Sequence, residues 1–348
     1  MSGEKGRSAV LLLAHGTPDV LGEMAEYLGK VTGGRALPKE VVEELQHRYG
    51  QIGLKETPGA EPPPLTKWTL IQANLLERAL DRIGDSNTRV YAGMRNWHPY
   101  IADVIAQMRL DGVTHIKAVC LAPQNSRTSV GLYRKAVLAA ADGMNVDFVA
   151  GWAEHPLLAQ AFAERLWPVW ALACAQSRRR VPVLFTAHSV PCRTIMTGGS
   201  TTGAETRPGT SPQGSPDTYS VEAKRTAGLV AQRMAAVGFS NKDWYFAFQS
   251  QGISGGPWIG PTVEDTLKAI KEEGHVGVVM QPVGFLCDHV EILYDIDIAF
   301  KEKASELGLK LWRAESLNDS DVLVSALAEV VSGKYKADVD EATAPAQV

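Results

Sequence analysis

The sequence predicts an α/β protein built from two similar halves, and three patterns support this. Short apolar runs, typical of strands covered on both faces, alternate with amphipathic helical segments. Two of these runs, "LLLAHGTP" (11–18) and "LFTAHSVP" (184–191), share an apolar stretch followed by alanine, histidine and a nearby proline. The strand–turn–helix segments at 89–112 and 244–274 repeat in the same way. Similarity at such long spacing indicates a duplicated unit, so we predict two doubly wound parallel sheets.

The apolar runs place four strands in each half. They lie near residues 8–14, 89–94, 115–122 and 146–151 in the first half, and near 182–187, 244–249, 276–282 and 309–313 in the second. Helical patterns between them include 65–83 and 219–237.

We predict four regions from these elements: a first Rossmann-like half at 8–175, a second one at 180–315, a carboxy-terminal helix at 316–333 that packs back on the first half, and a disordered tail at 334–348.

Composition limits the class of protein. A chain of 348 residues with 45% apolar and 21% charged residues is typical of a globular protein with two domains. The net charge of −4 provides no basic face for nucleic acid. We see no export signal, and no segment reaches the roughly 20 apolar residues of a membrane span. We therefore predict a cytoplasmic protein without a nucleic-acid partner or a transmembrane segment.

Cysteines and phosphate-binding motifs give no sign of a cofactor. The four cysteines are scattered, with no CxxC pair: Cys120, Cys174, Cys192 and Cys287. Neither GxGxxG nor GxxxxGK[ST] is present. The cleft between the halves is thus predicted to hold something other than a nucleotide.

His15 and His188 follow equivalent strands, at the carboxyl ends where open α/β sheets bind their ligands. A single histidine at a strand end is more often structural, so the repeated motif is what favours a functional site. We predict that both imidazoles face the cleft.

The stretch "PVGFLCDHVEILYDIDIAF" (282–300) is predicted to be a strand followed by a helix with Asp288 as its N-cap. Asp288, Glu291 and Asp295 would share one helix face, and no lysine or arginine occurs from 288 to 299. Carboxylates beside a core helix are costly unless they meet a cation or hold a proton. A structural role and a metal-handling role both stay open, and Glu291 with His188 would make an incomplete site for a metal in transit.

Four motifs together resemble the ferrochelatase family, over residues 9–331. They are "FTAHSVP", "PWIGPTVEDTL" (257–267), "PVGFLCDHVEILYDID" (282–297) and "ESLND" (315–319). The chain is most similar to the bacterial coproporphyrin III ferrochelatases. The resemblance implies a class II chelatase-like fold around a porphyrin cleft. It also implies insertion of Fe²⁺ into a free-base porphyrin in haem biosynthesis, with coproporphyrin III favoured and protoporphyrin IX the alternative substrate.

The resemblance also implies residue roles. His188 would ligate metal or accept a pyrrole proton, and Glu291 would be the carboxylate that faces it. The expected neighbours that steer metal or protons are Asp288, His289 and Asp295. The expected porphyrin contacts are His15, Arg48, Tyr49 and Tyr133. Candidate cations for the propionates at the rim are Arg35, Arg48, Arg127 and Arg134.

The sequence departs from the family at three places. His15 stands where relatives often carry tyrosine, Ala299 stands where they carry an acid, and "LKETPGAEPPPL" (54–65) lacks a porphyrin-contacting serine. From the first departure we predict that His15 ligates product iron axially; a histidine bonded only within the protein is the alternative. A carboxy-terminal cysteine cluster is missing, so we expect no iron–sulfur cluster and no cofactor beyond substrate Fe²⁺.

Other readings stay open. Loops 55–66 and 197–218 are candidate lids or plain flexible loops. The rival functions are a cobalt or nickel sirohydrochlorin chelatase and a non-catalytic bilobal carrier of haem or metal. As partners we expect porphyrin, Fe²⁺ and, transiently, neighbouring haem-pathway enzymes.

Overall fold

The computed structural model describes residues 7–195, 217–252, 256–336 and 338–343. In these ranges the chain forms nine strands: β1 Arg7–Ala14, β2 Arg89–Met94, β3 Val113–Cys120, β4 Asn145–Gly151, β5 Val183–His188, β6 Trp244–Gln249, β7 Gly277–Pro282, β8 Lys310–Arg313 and β9 Asp338–Thr343. The first eight coincide with the eight strands predicted from apolar runs, within one to two residues at most ends.

The same ranges contain twelve α-helices: α1 Met24–Val31, α2 Lys39–Gln51, α3 Pro64–Arg82, α4 Ile101–Leu110, α5 Val130–Ala140, α6 Pro156–Ser177, α7 Cys192–Ile195, α8 Tyr219–Arg233, α9 Val263–Glu272, α10 Val290–Leu293, α11 Lys301–Glu306 and α12 Asp321–Ser332. Two 3₁₀ turns, Leu21–Glu23 and Met234–Val237, and one π-helix, Asp295–Phe300, complete the set.

The two halves have the same sheet topology. The first sheet has the order β2-β1-β3-β4-β9 and the second β6-β5-β7-β8. Within the first eight strands every pairing is parallel, and the order of the four strands is identical in the two halves. The predicted α/β fold with two Rossmann-like units is confirmed. β1 and β5 occupy equivalent central positions in the two sheets; His15 directly follows β1, and His188 is the last residue of β5.

One apolar cluster joins the halves. Leu12 from the first sheet and Phe185 from the second are both fully buried in it, with Phe162 of α6. Leu327 of α12 lies in the same cluster and brings this helix onto α3 and α6. Burial of each large apolar side chain contributes about 1.5–3 kcal/mol. The shared cluster therefore fixes the position of the two sheets relative to each other.

The carboxy-terminal segment differs from its prediction. Residues 338–343, expected to be part of a disordered tail, form β9, which pairs antiparallel with β4; for example, Asp340 lies opposite Phe148. An edge strand offers unpaired backbone groups, and β9 satisfies those of β4 without needing an apolar sequence of its own. Residues 344–348 lie outside the described part of the chain, as does nearly all of the loop predicted at 197–218.

The other predicted loop is described. Residues 55–63 form no helix or strand before α3 begins at Pro64, as their prolines require. The Leu21 amide donates to the Lys55 carbonyl at 2.9 Å and ties the loop to the start of the first helical hairpin. No helix of the described chain is long and apolar enough to span a bilayer.

Candidate active site between the two halves

A cleft of about 1230 Å³ lies between the carboxyl ends of the two sheets. Pockets for ordinary small ligands have volumes of about 300–1,000 Å³, so this one has room for a larger, flat molecule. His15 lines it from the first half, and His188 and Glu291 line it from the second. The site predicted from the repeated motif is therefore a single space reached by both motifs.

His188 is the last residue of β5. The next amide, that of Ser189, donates to the Gln249 carbonyl at 2.7 Å, and Tyr219 Oη donates to the His188 carbonyl at 2.9 Å. The ring Nδ1 lies against the Ser189 carbonyl, which can only accept a hydrogen bond, so Nδ1 carries the proton in the neutral ring. The Nε2 lone pair then points toward Glu291, whose Oε2 is 3.6 Å away.

Glu291 lies on α10. Gln249 Nε2 donates to the Glu291 backbone carbonyl at 2.8 Å and holds this turn of the helix against β6. Its Oε2 is buried and has no hydrogen-bond partner among the described residues. An unsatisfied buried carboxylate oxygen is costly, and a cation or a proton on His188 would relieve it. The pair is thus arranged to receive positive charge.

As metal ligands, His188 and Glu291 would make an open site. No group of three or more metal-ligating side chains occurs within the described ranges. A structural zinc site needs four protein ligands. One imidazole and one carboxylate suit a divalent metal that passes through and gains further ligands from its acceptor.

A π-helix places Asp295 beside this pair. The π-helix begins at Asp295, where the predicted helix would have continued regularly, and such turns are frequent at functional sites. Ser250 Oγ donates to Asp295 Oδ2 at 2.6 Å, and Arg48 Nη1 is 4.0 Å from Oδ1. Burial, and next the charge of Glu291, raise the pKa of Asp295 to about 6. This carboxyl can therefore change its protonation near neutral pH.

Asp288 is placed differently from its prediction. Its side chain lies outside the cleft lining and accepts from Ser316 Oγ at 2.7 Å, Asn318 Nδ2 at 3.0 Å and Arg313 Nη1 at 3.4 Å. It is not the N-cap either, because His289 occupies that position of α10. The prediction of unpaired carboxylates failed here because the partner, Arg313, lies 25 residues further along the chain. His289 does line the cleft, with Nδ1 at 2.9 Å from the Cys287 carbonyl.

His15 has a different environment from His188. Its Nε2 is 2.9 Å from Asn96 Nδ2, and its Nδ1 is 3.0 Å from Tyr27 Oη and 3.3 Å from the Gly16 carbonyl. Burial, with Arg95 as the next cause, lowers the pKa of His15 to about 3, so the ring is neutral at physiological pH. Asn96 Nδ2 can only donate, so Nε2 accepts this hydrogen bond, Nδ1 carries the proton, and both ring nitrogens are hydrogen-bonded. In this arrangement no nitrogen is available to iron, contrary to the predicted axial ligation, while contact with a bound ligand stays open.

The remaining predicted porphyrin contacts line the side of the cleft formed by the first half of the chain, called the first-half wall below. Arg48 and Tyr49 on α2 and Tyr133 on α5 all border the cleft. Burial raises the pKa of Tyr49 to about 12 and that of Tyr133 still further, so both are neutral hydroxyls. Arg48 also donates to Glu44 at 2.9 Å and lies 5.3 Å from the Tyr294 ring centroid.

The rim arginines divide into two pairs. Arg35 and Arg48 line the cleft, whereas Arg127 and Arg134 lie outside its lining.

Several residues that contact the site side chains carried no signal in the sequence. Tyr27, Asn96, Tyr219 and Ser250 all contact one of the site residues described above. The sequence predicts only a strand followed by a turn for the segment "GMRNWHPY", which contains Asn96. Its closeness to the repeated motif could have identified it, because β1 and β2 are adjacent.

Two Rossmann-like halves enclose a cleft of macrocycle size, and an imidazole and a carboxylate face each other at its wall, as expected of a tetrapyrrole metal chelatase. The comparison with solved structures agrees at the level of the fold. SirB from Bacillus subtilis, solved with Fe³⁺, aligns with 95% of this chain and 100% of its own at a TM-score of 0.52 and 12% sequence identity.

The sequence comparisons identify the family. The Ferrochelatase family pattern matches residues 7–335. A ferrochelatase of Acidobacterium capsulatum is 54% identical over 98% of both chains. A coproporphyrin III ferrochelatase of Geobacillus kaustophilus is 30% identical over 97% of this chain and 98% of its own. The chain belongs to the ferrochelatase family, and it is an enzyme that inserts iron into porphyrin.

Proposed function

We propose that this ferrochelatase inserts Fe²⁺ into coproporphyrin III, with His188 as pyrrole-proton acceptor and Glu291 as the carboxylate that compensates the charge of the metal. One observation carries the assignment of roles: Nε2 of His188 and the unpartnered Oε2 of Glu291 lie 3.6 Å apart at the wall of the cleft. A neutral imidazole accepts a proton near neutral pH, which pyrrole nitrogens give up reluctantly.

The reaction balances in protons and charge. The free-base macrocycle loses two N–H protons as one Fe²⁺ enters, so the charge of the metallated core, apart from the propionates, stays zero and two protons leave. His188 takes a proton on Nε2, and its imidazolium can then donate to Glu291. The first-half wall, with Tyr49 and Tyr133, would hold the macrocycle against this pair. Strain in the bound macrocycle would turn its nitrogen lone pairs toward the metal.

The preference for coproporphyrin rests on charge at the mouth of the cleft. Coproporphyrin carries four propionates, two more than protoporphyrin, and the exposed Arg35 lines the cleft with Lys55. Coproporphyrin III is also the substrate in the name of the Geobacillus relative. Cations at the rim would favour the more anionic porphyrin.

Rates on both porphyrins test the substrate. We expect a higher kcat/KM for coproporphyrin III than for protoporphyrin IX with purified protein and Fe²⁺ under anaerobic conditions. Arg35→Gln should lower kcat/KM for coproporphyrin more than for protoporphyrin. Lys39→Gln is the matched control, since Lys39 lies on the same helical hairpin, pairs with Glu43 and does not line the cleft. A higher kcat/KM for protoporphyrin would overturn the substrate assignment.

Turnover separates the enzyme from a carrier. A carrier binds one iron porphyrin per chain, whereas a chelatase converts many free-base equivalents. The same assay with sirohydrochlorin and Co²⁺ tests the other rival, for which we expect no turnover.

We further propose a cytoplasmic enzyme without a resident cofactor that passes its product to neighbouring haem-pathway enzymes by transient contact. The scattered cysteines support the absence of a resident iron–sulfur cluster, since Cys120 and Cys287 are buried free thiols and no cysteine is adjacent to either in the sequence. Cell fractionation tests the location, metal analysis of the purified protein tests the absence of a cofactor, and in-cell crosslinking tests the transient contact. Stoichiometric iron with sulfide in the purified protein would contradict the absence of a cluster.

A further inference from the structure

Arg313, at the carboxyl end of β8, is a mostly buried cation. It lies between Asp288 and Asp297, which stand on either side of Glu291 in the sequence. Its Nε and Nη2 donate to the two carboxylate oxygens of Asp297 at 2.9 and 2.8 Å. Its Nη1 lies 3.4 Å from Asp288 Oδ1. The side chain of Arg313 is only 14% exposed, so solvent screens these contacts weakly.

The two partners of Arg313 bracket Glu291. Asp288 precedes α10, and Asp297 lies in the π-helix that follows it. Burial alone would raise the pKa of Asp297, but the hydrogen bonds and charge of Arg313 lower it below its ordinary value, so this carboxyl is ionised. One guanidinium therefore connects both ends of the short segment that carries Glu291.

A second set of contacts supports the Asp288 end. Ser316 and Asn318, five residues or fewer beyond Arg313, both donate to the Asp288 carboxylate, and the Asp288 amide donates to Asn318 Oδ1 at 2.9 Å. Asn318 has a left-handed backbone with φ of 43°, which asparagine tolerates better than most residues. Its carbonyl accepts from Gln72 Nε2 of α3 at 2.7 Å, so the support extends to the first half.

We propose that Arg313 is a positioning residue of the reaction, which holds Glu291 at His188 by clamping Asp288 and Asp297. Glu291 Oε2 has no hydrogen-bond partner of its own in the described chain, so its position depends on the backbone that carries it. Groups that orient a metal-handling residue typically contribute about ten- to a hundredfold to activity. Arg313 does not line the cleft, so it would act through Glu291. This inference rests on the proposed role of Glu291.

A double-mutant cycle tests the coupling. Arg313→Lys keeps the charge but removes the bidentate contact with Asp297, which a single ammonium cannot reproduce. We expect kcat to fall about ten- to a hundredfold with an unchanged KM for porphyrin, because the first-half wall is intact. In the Glu291→Gln background the same change should lower kcat by less than about twofold, as expected for residues that act as one unit. An equal fold-loss in both backgrounds would mean a structural role only and would overturn the proposal.

Two further variants serve as a control and as a substitute for Arg313→Lys. Arg165→Lys is the control, because Arg165 bridges Glu315 at 3.0 Å and Asp319 at 3.6 Å, beside the same support but without contact to the segment of Glu291; we expect wild-type kcat. If Arg313→Lys does not fold, Ser316→Ala removes one bond to Asp288 and should show a smaller loss with the same dependence on Glu291.

The crystal structure of Arg313→Lys separates this proposal from the proposed function. Absence of iron insertion by the wild type would overturn the function, yet the structure would still report on positioning. We expect Glu291 Oε2 to lie further from His188 Nε2 than the 3.6 Å of the native arrangement. An unmoved carboxylate would overturn the positioning role whatever the reaction is.

Discussion

The strand ends at His188 and His15 have the same sequence pattern and the same topological position, but opposite hydrogen-bond environments. Among the described residues His188 is hydrogen-bonded through Nδ1 alone, and Nε2 faces the buried Oε2 of the half-buried Glu291. At His15 both nitrogens are bonded, and burial with the nearby Arg95 lowers the pKa to about 3. A duplicated motif thus fixes where an imidazole lies, while its neighbours determine whether it can take a proton.

The largest difference between the two strand ends is expected from removal of the proton acceptor. His188→Ala should lower iron insertion by about 10²-fold or more while the protein stays folded, since a general base contributes about that much. Initial rates and circular dichroism check both parts. His47→Ala is the control, because His47 is exposed on α2 and does not line the cleft. Retention of more than about a tenth of the wild-type rate would show that another group accepts the proton.

Glu291→Gln keeps the shape of the carboxylate and removes its charge. We expect at least about a tenfold loss of kcat, because preorganised charge at the reacting centre is lost. The melting temperature should hold or rise, since an unpartnered buried carboxylate oxygen disappears. Glu302→Gln on the exposed surface of α11 serves as control. Retained activity with a large drop in melting temperature would assign Glu291 a structural role.

Asp295 makes the second-half site sensitive to pH. Its folded pKa of about 6 lies above the ordinary value of 3.8, mainly through burial and then through Glu291. The folded state therefore binds the proton more tightly, so its contribution to stability is complete below about pH 4 and is lost as pH rises through 6. Asp295→Asn should remove this slope and raise the free energy of unfolding at pH 7.5 by up to about 3 kcal/mol. Denaturant unfolding at several pH values measures it; an unchanged slope would mean that Asp295 is ionised throughout.

Local sequence patterns predicted most of the fold because each strand of a parallel sheet is buried on both faces and reads as an apolar run. β9 was missed for the opposite reason. It lies at an edge and is held by backbone pairing with β4, so its acidic sequence carries no such signal. The π-helix at Asp295–Phe300 was not predicted because it shifts the helical periodicity by only one residue, and the sequence of the segment still reads as one continuous helix.

The site was predicted where both partners follow strands of the same half, because parallel strands end at the same edge of their sheet. His188 and Glu291 were expected together, and they lie together. The pairing of Asp288 with Arg313 and of His15 with Asn96 joins residues 25 and 81 positions apart. Side-chain contacts of this kind depend on how the segments after the strands pack together, and the sequence motifs give no information about that packing.

The smallest expected effect concerns His15, and it tests whether the strand end of the first half differs from that at His188. With both nitrogens bonded, His15 should not ligate product iron, so His15→Ala should leave the absorption and resonance Raman signature of the bound product unchanged. Loss of its hydrogen bonds should slow insertion by only about fivefold, the equivalent of roughly 1 kcal/mol. Asn96→Ala sharpens the test, because it removes the partner of Nε2 and leaves that nitrogen with a free lone pair. We expect an imidazole signature on product iron in Asn96→Ala that disappears in the Asn96→Ala/His15→Ala double variant. A His15-dependent imidazole signature already present in the wild type would show that porphyrin binding breaks the contact with Asn96, and that the two strand ends become alike once the cleft is filled.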